Sequence, residues 1–368
     1  MNKKKITYKS SGINYSSMDP LKKLAQLRAR ETASNHAALG FSEVSASRGE
    51  SAYVWEEEDS YRAFVVEGLG TKNLVADVMR SITGKTYYDS IAQDTVAMIV
   101  NDLIVVGAAP QVVNAYFAAG SSEWFADEER VSDLVNGWAR ACNLAGAVWG
   151  GGETPTQKGI ISDTTIDLAG SAVGMIKPKN HLVLGDKLAS GDRILLIESN
   201  GIHANGLTLA RAIVHRLSEG YATKLTDGTM YGESLLRPTR IYAELVKDLF
   251  DAGIAPHYMV NVTGHGWRKM MRATQEFRYI IETIPDPDPL FQFLQEHSGN
   301  NDQEMYGTFN MGVGFAVMLS EKDMKKALEI TTEHELMGID GGYIEKGKKE
   351  VVIQPKNITF TAESLDLR

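Results

Sequence analysis

Four times in 368 residues an apolar, β-forming run breaks off in glycines and polar groups. The run Phe64-Val65-Val66 stops at Glu67-Gly68-Leu69-Gly70-Thr71-Lys72. Ala147-Val148-Trp149 enters Gly150-Gly151-Gly152-Glu153-Thr154. Ile194-Leu195-Leu196-Ile197 leads to Asn200-Gly201-Ile202-His203-Ala204-Asn205-Gly206. Residues 258–262 lead to Thr263-Gly264-His265-Gly266. Helical patterns alternate with these runs, at 20–34, 73–81, 90–107, 122–145, 207–218, 241–252, 290–296 and 321–331. Such alternation requires an α/β or mixed α+β fold. The loops also have a chemistry in common. A carboxylate can hold Mg²⁺, glycine lets the backbone approach an oxyanion, and a helix amino end offers free amides and a positive dipole end. Each loop alone is equally compatible with an ordinary turn. The spacing is neither that of a P-loop nor that of a Gly-x-Gly-x-x-Gly dinucleotide fingerprint.

Further polar residues fall where apolar ones would be expected. In helix 90–107, Asp94 and Asp102 are eight apart, about 80° around the helix, with Asn101 beside Asp102; this fits one polar edge on an otherwise apolar helix. A solvated face is the plain alternative. His203 lies within its loop, where it serves either a phosphate contact or a structural hydrogen bond. Asp19-Pro20 predicts an N-cap and a first helical residue. Residues 147–149 read as a buried strand, and 164–175 as a strand carrying Asp167. A helix is expected near Trp267, a strand at 309–317 that admits close approach at its glycines, and a terminal hairpin over 343–353.

The formal net charge of −9 argues against non-specific nucleic-acid or anionic-membrane binding, so positive charge for a phosphate ligand has to be local. No apolar run has transmembrane length, and the basic opening Met1-Asn2-Lys3-Lys4-Lys5 is not followed by an apolar signal region. The single cysteine, Cys142, cannot form an internal disulfide and reads as a buried, inert thiol. A cytosolic location is expected. A boundary near 177–192 divides the chain into an arm and helix (1–50), an amino-terminal domain (51–180) and a carboxy-terminal domain (181–368).

Eight segments in order resemble the phosphoribosylformylglycinamidine cyclo-ligase family, also called aminoimidazole ribonucleotide synthetases. They are Tyr8-Lys9-x-x-Gly12-Ile13-Asn14; Gly68-Leu69-Gly70-Thr71-Lys72; Asp94-x-Val96-Ala97-Met98-x-Val100-Asn101-Asp102-Leu103; Gly151-Gly152-Glu153-Thr154; His203-x-Asn205-Gly206; Leu236-x-Pro238-Thr239-Arg240-Ile241-Tyr242; Thr263-Gly264-x-Gly266; and Met305-Tyr306-x-Thr308-Phe309-Asn310-x-Gly312-Val313-Gly314. The resemblance implies a two-domain, PurM-like ATP-binding fold, with amino-terminal domains that pair their sheets into a shared barrel in a homodimer. The implied reaction is ATP-dependent closure of formylglycinamidine ribonucleotide to 5-aminoimidazole ribonucleotide, with release of ADP and phosphate. ATP and Mg²⁺ are the implied cofactors, with a monovalent cation as an open addition. Glu67, Asp94, Asp102 and Glu153 would hold Mg²⁺. Gly68, Gly70, Thr71, Lys72, Asn101, Gly151, Gly152, Thr263 and Gly264 would line the nucleotide. His203, Asn205, Lys72 and Asp94 would act at the reacting centre.

Two departures from the family pattern bear on the site. Where the family has Asp-Gly-Val-Gly-Thr-Lys, this chain begins with Glu67. Where it has His-x-Thr-Gly-Gly-Gly, this chain reads Asn261-Val262-Thr263-Gly264-His265-Gly266. Two alternatives therefore stay open, another ATP-using enzyme of the same superfamily and a weakened nucleotide-binding paralogue.

Overall fold

The computed structural model describes residues 5–6 and 15–365, with only the helical backbone for 15–19. The motif Tyr8-Lys9-x-x-Gly12-Ile13-Asn14 lies outside the described residues. The first half builds a six-stranded sheet in the order β1-β2-β3-β6-β4-β5. Its strands are β1 (Ser42–Glu43), β2 (Tyr53–Glu56), β3 (Tyr61–Gly68), β4 (Ala109–Ala119), β5 (Val148–Glu153) and β6 (Ile166–Ile176). The second half builds a seven-stranded sheet in the order β13-β12-β9-β11-β7-β10-β8. It comprises β7 (Arg193–Glu198), β8 (Tyr258–Asn261), β9 (Phe277–Ile281), β10 (Val313–Leu319), β11 (Gly338–Lys346), β12 (Glu350–Ile353) and β13 (Ile358–Thr361). The helices are α1 (Tyr15–Glu31), α2 (Ser34–Ala38), α3 (Asn73–Thr83), α4 (Tyr88–Ile104), α5 (Glu128–Leu144), α6 (Leu207–Ile213), α7 (Tyr231–Leu235), α8 (Ala243–Asp251), α9 (Pro289–Ser298), α10 (Asp302–Tyr306) and α11 (Glu321–Glu333). This is the mixed α/β, two-sheet architecture that the alternation of patterns requires.

Period-two alternation gives the first sheet two unlike faces. Ala63, Val65, Val113, Ala115, Leu168 and Ala172 are buried on the side covered by α4. The opposite side exposes apolar residues. One register row runs Phe64–Val173–Val112–Val148 across four strands, and the next contains Val66. Val66 is 63% and Val148 66% exposed. Helix α4 is buried almost all round, because the sheet covers one side and α5 and the second half of the chain cover the rest.

Several local expectations need correction. Pro20 lies inside α1, which begins at Tyr15, so Asp19 is no N-cap. The strand after Ala147 is not buried: β5 is the edge of its sheet and continues through Gly150-Gly151-Gly152 to Glu153. The segment at Trp267 makes only a short 3₁₀ turn, Gly266–Met271. Residues 343–353 are not a hairpin either. Strand β9 inserts between β11 and β12, pairing antiparallel with the first and parallel with the second. Arg278 of β9 bridges Glu345 and Glu350 across the gap, a tertiary contact that no local turn signal reports.

Candidate active site

Helix α4 carries the polar edge anticipated from its sequence, turned toward the second half of the chain. Asp94, Met98, Asn101 and Asp102 fall at i, i+4, i+7 and i+8, and each meets a loop or strand of that half. Asn101 Nδ2 donates to the Arg240 carbonyl (2.8 Å), and its Oδ1 accepts from the Tyr242 amide (3.1 Å). Met98 Sδ lies 3.4 Å from Asn205 Nδ2. The two aspartates, however, are about 12 Å apart along the axis at 1.5 Å per residue, and they belong to different clusters.

The first cluster is a buried pin. Lys72 Nζ lies 2.8 Å from both Asp94 oxygens, and both side chains are 0% exposed. Nζ also donates to the carbonyls of His203 (3.0 Å) and Arg237 (2.7 Å). Asp94 accepts from the Thr239 amide (2.8 Å) and the Thr239 hydroxyl. The lysine expected at a phosphate and the aspartate expected on a metal are here filled by protein partners. The pin also fixes the third glycine loop. His203 has φ +60°, and its Nε2 accepts from the Asn200 amide (3.0 Å). Burial, and then the Lys72 and Arg240 charges, push its pKa down to about 3, so the imidazole is neutral. Gly314 is required behind it: a Cβ there would fall 2.1 Å from the Tyr242 hydroxyl and 2.5 Å from His203 Cε1.

The second cluster joins both sheets at the other aspartate. Glu67, near the end of β3, is only partly buried. Burial, followed by the neighbouring Asp102 carboxylate, pushes its pKa up to about 7. Asp102 Oδ1 accepts from Asn261 Nδ2 (2.7 Å) and lies 4.0 Å from Lys269 Nζ. Lys269 in turn donates to Thr263 Oγ1 (2.5 Å). Burial pulls the Lys269 pKa down to about 8, against the pull of Asp102. His265 is held neutral, down to about 3, by burial and then by Lys269, Arg268 and Arg272. Gly68 and Gly70 are exposed at the rim, Gly70 with φ +79°, and Gly264 belongs to the facing loop. Thr71 Oγ1 is buried without a hydrogen-bond partner, a hydroxyl available to a ligand.

Glu153 does not join either carboxylate. The register runs Gly68–Ala169–Tyr116–Glu153, three strand spacings, or about 14 Å, across the sheet. Gly151 and Gly152 lie beside Glu153 on that far edge. A separate cavity of about 430 Å³, lined by Ile104, Gly107, Leu144, Met175, His181 and Phe250, contains none of these site residues.

Four relevant groups escaped the sequence reading: Lys269, Arg272, Thr239 and the donor role of Asn261. Lys269 left one signal, a lysine set between Trp267 and Met270-Met271, where a free charge would be costly.

Residues 49–176 match the family model described as AIR synthase related protein, N-terminal domain, and residues 189–354 match its C-terminal counterpart. Phosphoribosylformylglycinamidine cyclo-ligase of Methanocaldococcus jannaschii is 32% identical over 336 residues, 90% of each chain. The chain belongs to the phosphoribosylformylglycinamidine cyclo-ligase family. A second relative with this name, from Methanothermobacter thermautotrophicus, is 31% identical over 88% of this chain and 91% of its own. Among solved structures, the fold matches the HypE–HypF complex with a TM-score of 0.61 at 18% identity, covering 86% of this chain and 94% of that one. It also matches phosphoribosylformylglycinamidine synthase II of Thermotoga maritima, with a TM-score of 0.58 at 14% identity, covering 87% of this chain and 46% of that one.

The residues of the second cluster are of a kind that suits Mg²⁺, the metal implied by the resemblance. That ion takes one or two carboxylates and completes its octahedron with phosphate oxygens and water. Glu67 and Asp102 supply two carboxylates. Among the described residues, no group of three or more His, Cys, Asp or Glu side chains could hold a metal alone.

Proposed function

We propose that the protein closes the imidazole ring of 5-aminoimidazole ribonucleotide from formylglycinamidine ribonucleotide, consuming ATP and releasing ADP and phosphate. The observation that carries this reading is the second cluster. It sets two carboxylates and a glycine-rich rim of the first sheet against Thr263, Gly264 and Lys269 of the second, within a chain about 30% identical to cyclo-ligases over nine-tenths of its length.

The formyl oxygen is a poor leaving group until it becomes a phosphate ester. The amidine nitrogen then attacks the same carbon, the C–O bond breaks, and phosphate departs. Glu67 and Asp102 would hold Mg²⁺, which would supply charge neutralisation of the polyphosphate. Gly68, Gly70 and Gly264 leave room for phosphate oxygens close to the backbone, and the Thr71 hydroxyl orients one of them. Asn261 fixes the Asp102 carboxylate by its hydrogen bond. Lys72, Asp94, Asn101 and His203 act as positioning residues, because they lock the two sheets in the relation that forms the cleft. Asn205, packed against Met98, borders the substrate side.

The assembly we propose is a homodimer closed through the exposed face of the first sheet. Phe64, Val66, Val112 and Val148 form an apolar patch on one register-aligned surface. Glu153, Gly151 and Gly152 would reach a nucleotide only across such a pairing. No helix among the described residues is long and apolar enough to cross a membrane; a cytosolic setting belongs to the same reading.

The test supplies purified protein with formylglycinamidine ribonucleotide, Mg²⁺ and ATP, and follows ADP together with the aromatic amine product. Equal amounts of both are expected. ADP formation only with a different amide or acid would establish another reaction of the superfamily, and nucleotide binding without turnover would establish a paralogue that has lost catalysis.

A further inference from the structure

Lys269 has a role that ring closure does not by itself require. Its side chain is 4% exposed, between buried Trp267 and the buried pair Met270-Met271. A buried ammonium is costly without counter-charge, and two neighbouring carboxylates are costly without a cation. Here each relieves the other. Nζ stands 4.0 Å from Asp102 Oδ1, its charge acts on Glu67, and Thr263 Oγ1 anchors it at 2.5 Å. Asp102 is restrained from another side by Asn261. Of the other two cations of this segment, Arg268 donates to the carbonyls of His265, Gly307 and Ser364, and Arg272 donates to Ser51 Oγ at 2.6 Å and acts on Glu67 more weakly than Lys269 does. Any divalent ion that approaches the same two carboxylates therefore meets a fixed positive charge.

We propose that Lys269 is the built-in counter-cation of the Glu67–Asp102 pair, which weakens its hold on a free divalent ion so that metal enters together with a polyphosphate. The nucleotide's negative charge restores the attraction that the ammonium removes. The pattern also links the two departures from the family sequence: Glu67 and Asn261 both belong to the carboxylate group that Lys269 balances. This inference rests on the proposed role of Glu67 and Asp102 as metal carboxylates, but its test uses neither the ring-closing substrate nor turnover.

Mn²⁺ serves as the probe. Its binding to the full-length protein is followed by electron paramagnetic resonance without nucleotide, for the wild type, Lys269→Met and Lys269→Arg. The Met variant is expected to bind Mn²⁺ about tenfold tighter or more, because a full charge near one ligand is removed. The Arg variant keeps the charge and is expected to match the wild type. Adding Asp102→Asn to Lys269→Met should abolish the gain, and a non-hydrolysable ATP analogue should narrow the difference between Met variant and wild type. If the Met variant fails to fold, Lys269→Gln makes the same comparison. Unchanged or weaker Mn²⁺ binding on loss of the charge overturns the proposal, as does an Arg variant that binds as tightly as the Met variant. If no form binds Mn²⁺ with or without the analogue, the metal assignment falls and the proposal falls with it, while the ring-closure assay is judged separately.

Discussion

Lys72 Nζ sits 2.8 Å from each carboxylate oxygen of Asp94, and the same nitrogen holds two carbonyls from the other half of the chain. The pair therefore works as an inter-sheet lock. Removing one partner leaves a buried charge uncompensated. Lys72→Met and Asp94→Asn should each cost about 3–5 kcal/mol in chemical denaturation. The double variant should cost less than the sum of the two, by about 1–3 kcal/mol. Additive costs would show that the contact carries little of the lock.

Asp102→Asn tests the other aspartate on the same helix. The substitution keeps an oxygen able to accept from Asn261, so folding should be retained. Turnover should fall by about 100-fold or more, as expected when a metal carboxylate is lost. Activity within a few-fold of wild type, at saturating Mg²⁺, would remove Asp102 from the metal site.

Acid should loosen the His203 loop. In the folded state the imidazole titrates near 3, whereas an unfolded histidine titrates near 6.5. The folded protein thus binds fewer protons in this window, so stability is intact above 6.5 and is lost as pH falls toward 3. At pH 5.5 the loss from this group is about 1.4 kcal/mol. Glu67 has the opposite sign: its raised carboxyl favours the fold at low pH and loses that contribution as pH rises from 4.5 to about 7. Comparing His203→Gln with wild type isolates the histidine. The variant's stability should fall less steeply between pH 6.5 and 5, and parallel curves would refute the assignment.

The exposed row on the first sheet predicts an association state. Val66→Lys places a charge within the exposed apolar patch, at a position 63% exposed in one protomer. Sedimentation should show a dimer for the wild type and a monomer for the variant, each with the same circular dichroism. An unchanged dimer would move the interface elsewhere.

Legibility in the sequence followed the range of the interactions. The alternation of β-runs and helical patterns is local, and it led directly to the α/β class and to α4, but not to the insertion of β9 between β11 and β12. Gly314 was readable as a close-approach position, although only its contacts with Tyr242 and His203 say why. The glycine loops were readable as a set, but their grouping was not. Asp94 and Asp102 share a helix edge yet stand two turns apart, and Glu153 is separated from Glu67 by two intervening strands whose order no short motif encodes. Lys72 looked like a phosphate ligand because its burial depends on loops more than 100 residues distant. Lys269 was missed because its partners, Asp102 and Glu67, come from the other half of the chain.

The most direct test of ring closure through a phosphorylated formyl oxygen uses formylglycinamidine ribonucleotide carrying ¹⁸O in its formyl group, with Mg²⁺ and unlabelled ATP. Released phosphate is then examined by mass or ³¹P shift. One ¹⁸O in each phosphate, formed in step with aminoimidazole ribonucleotide, is the predicted result. Unlabelled phosphate accompanying the same product would contradict it.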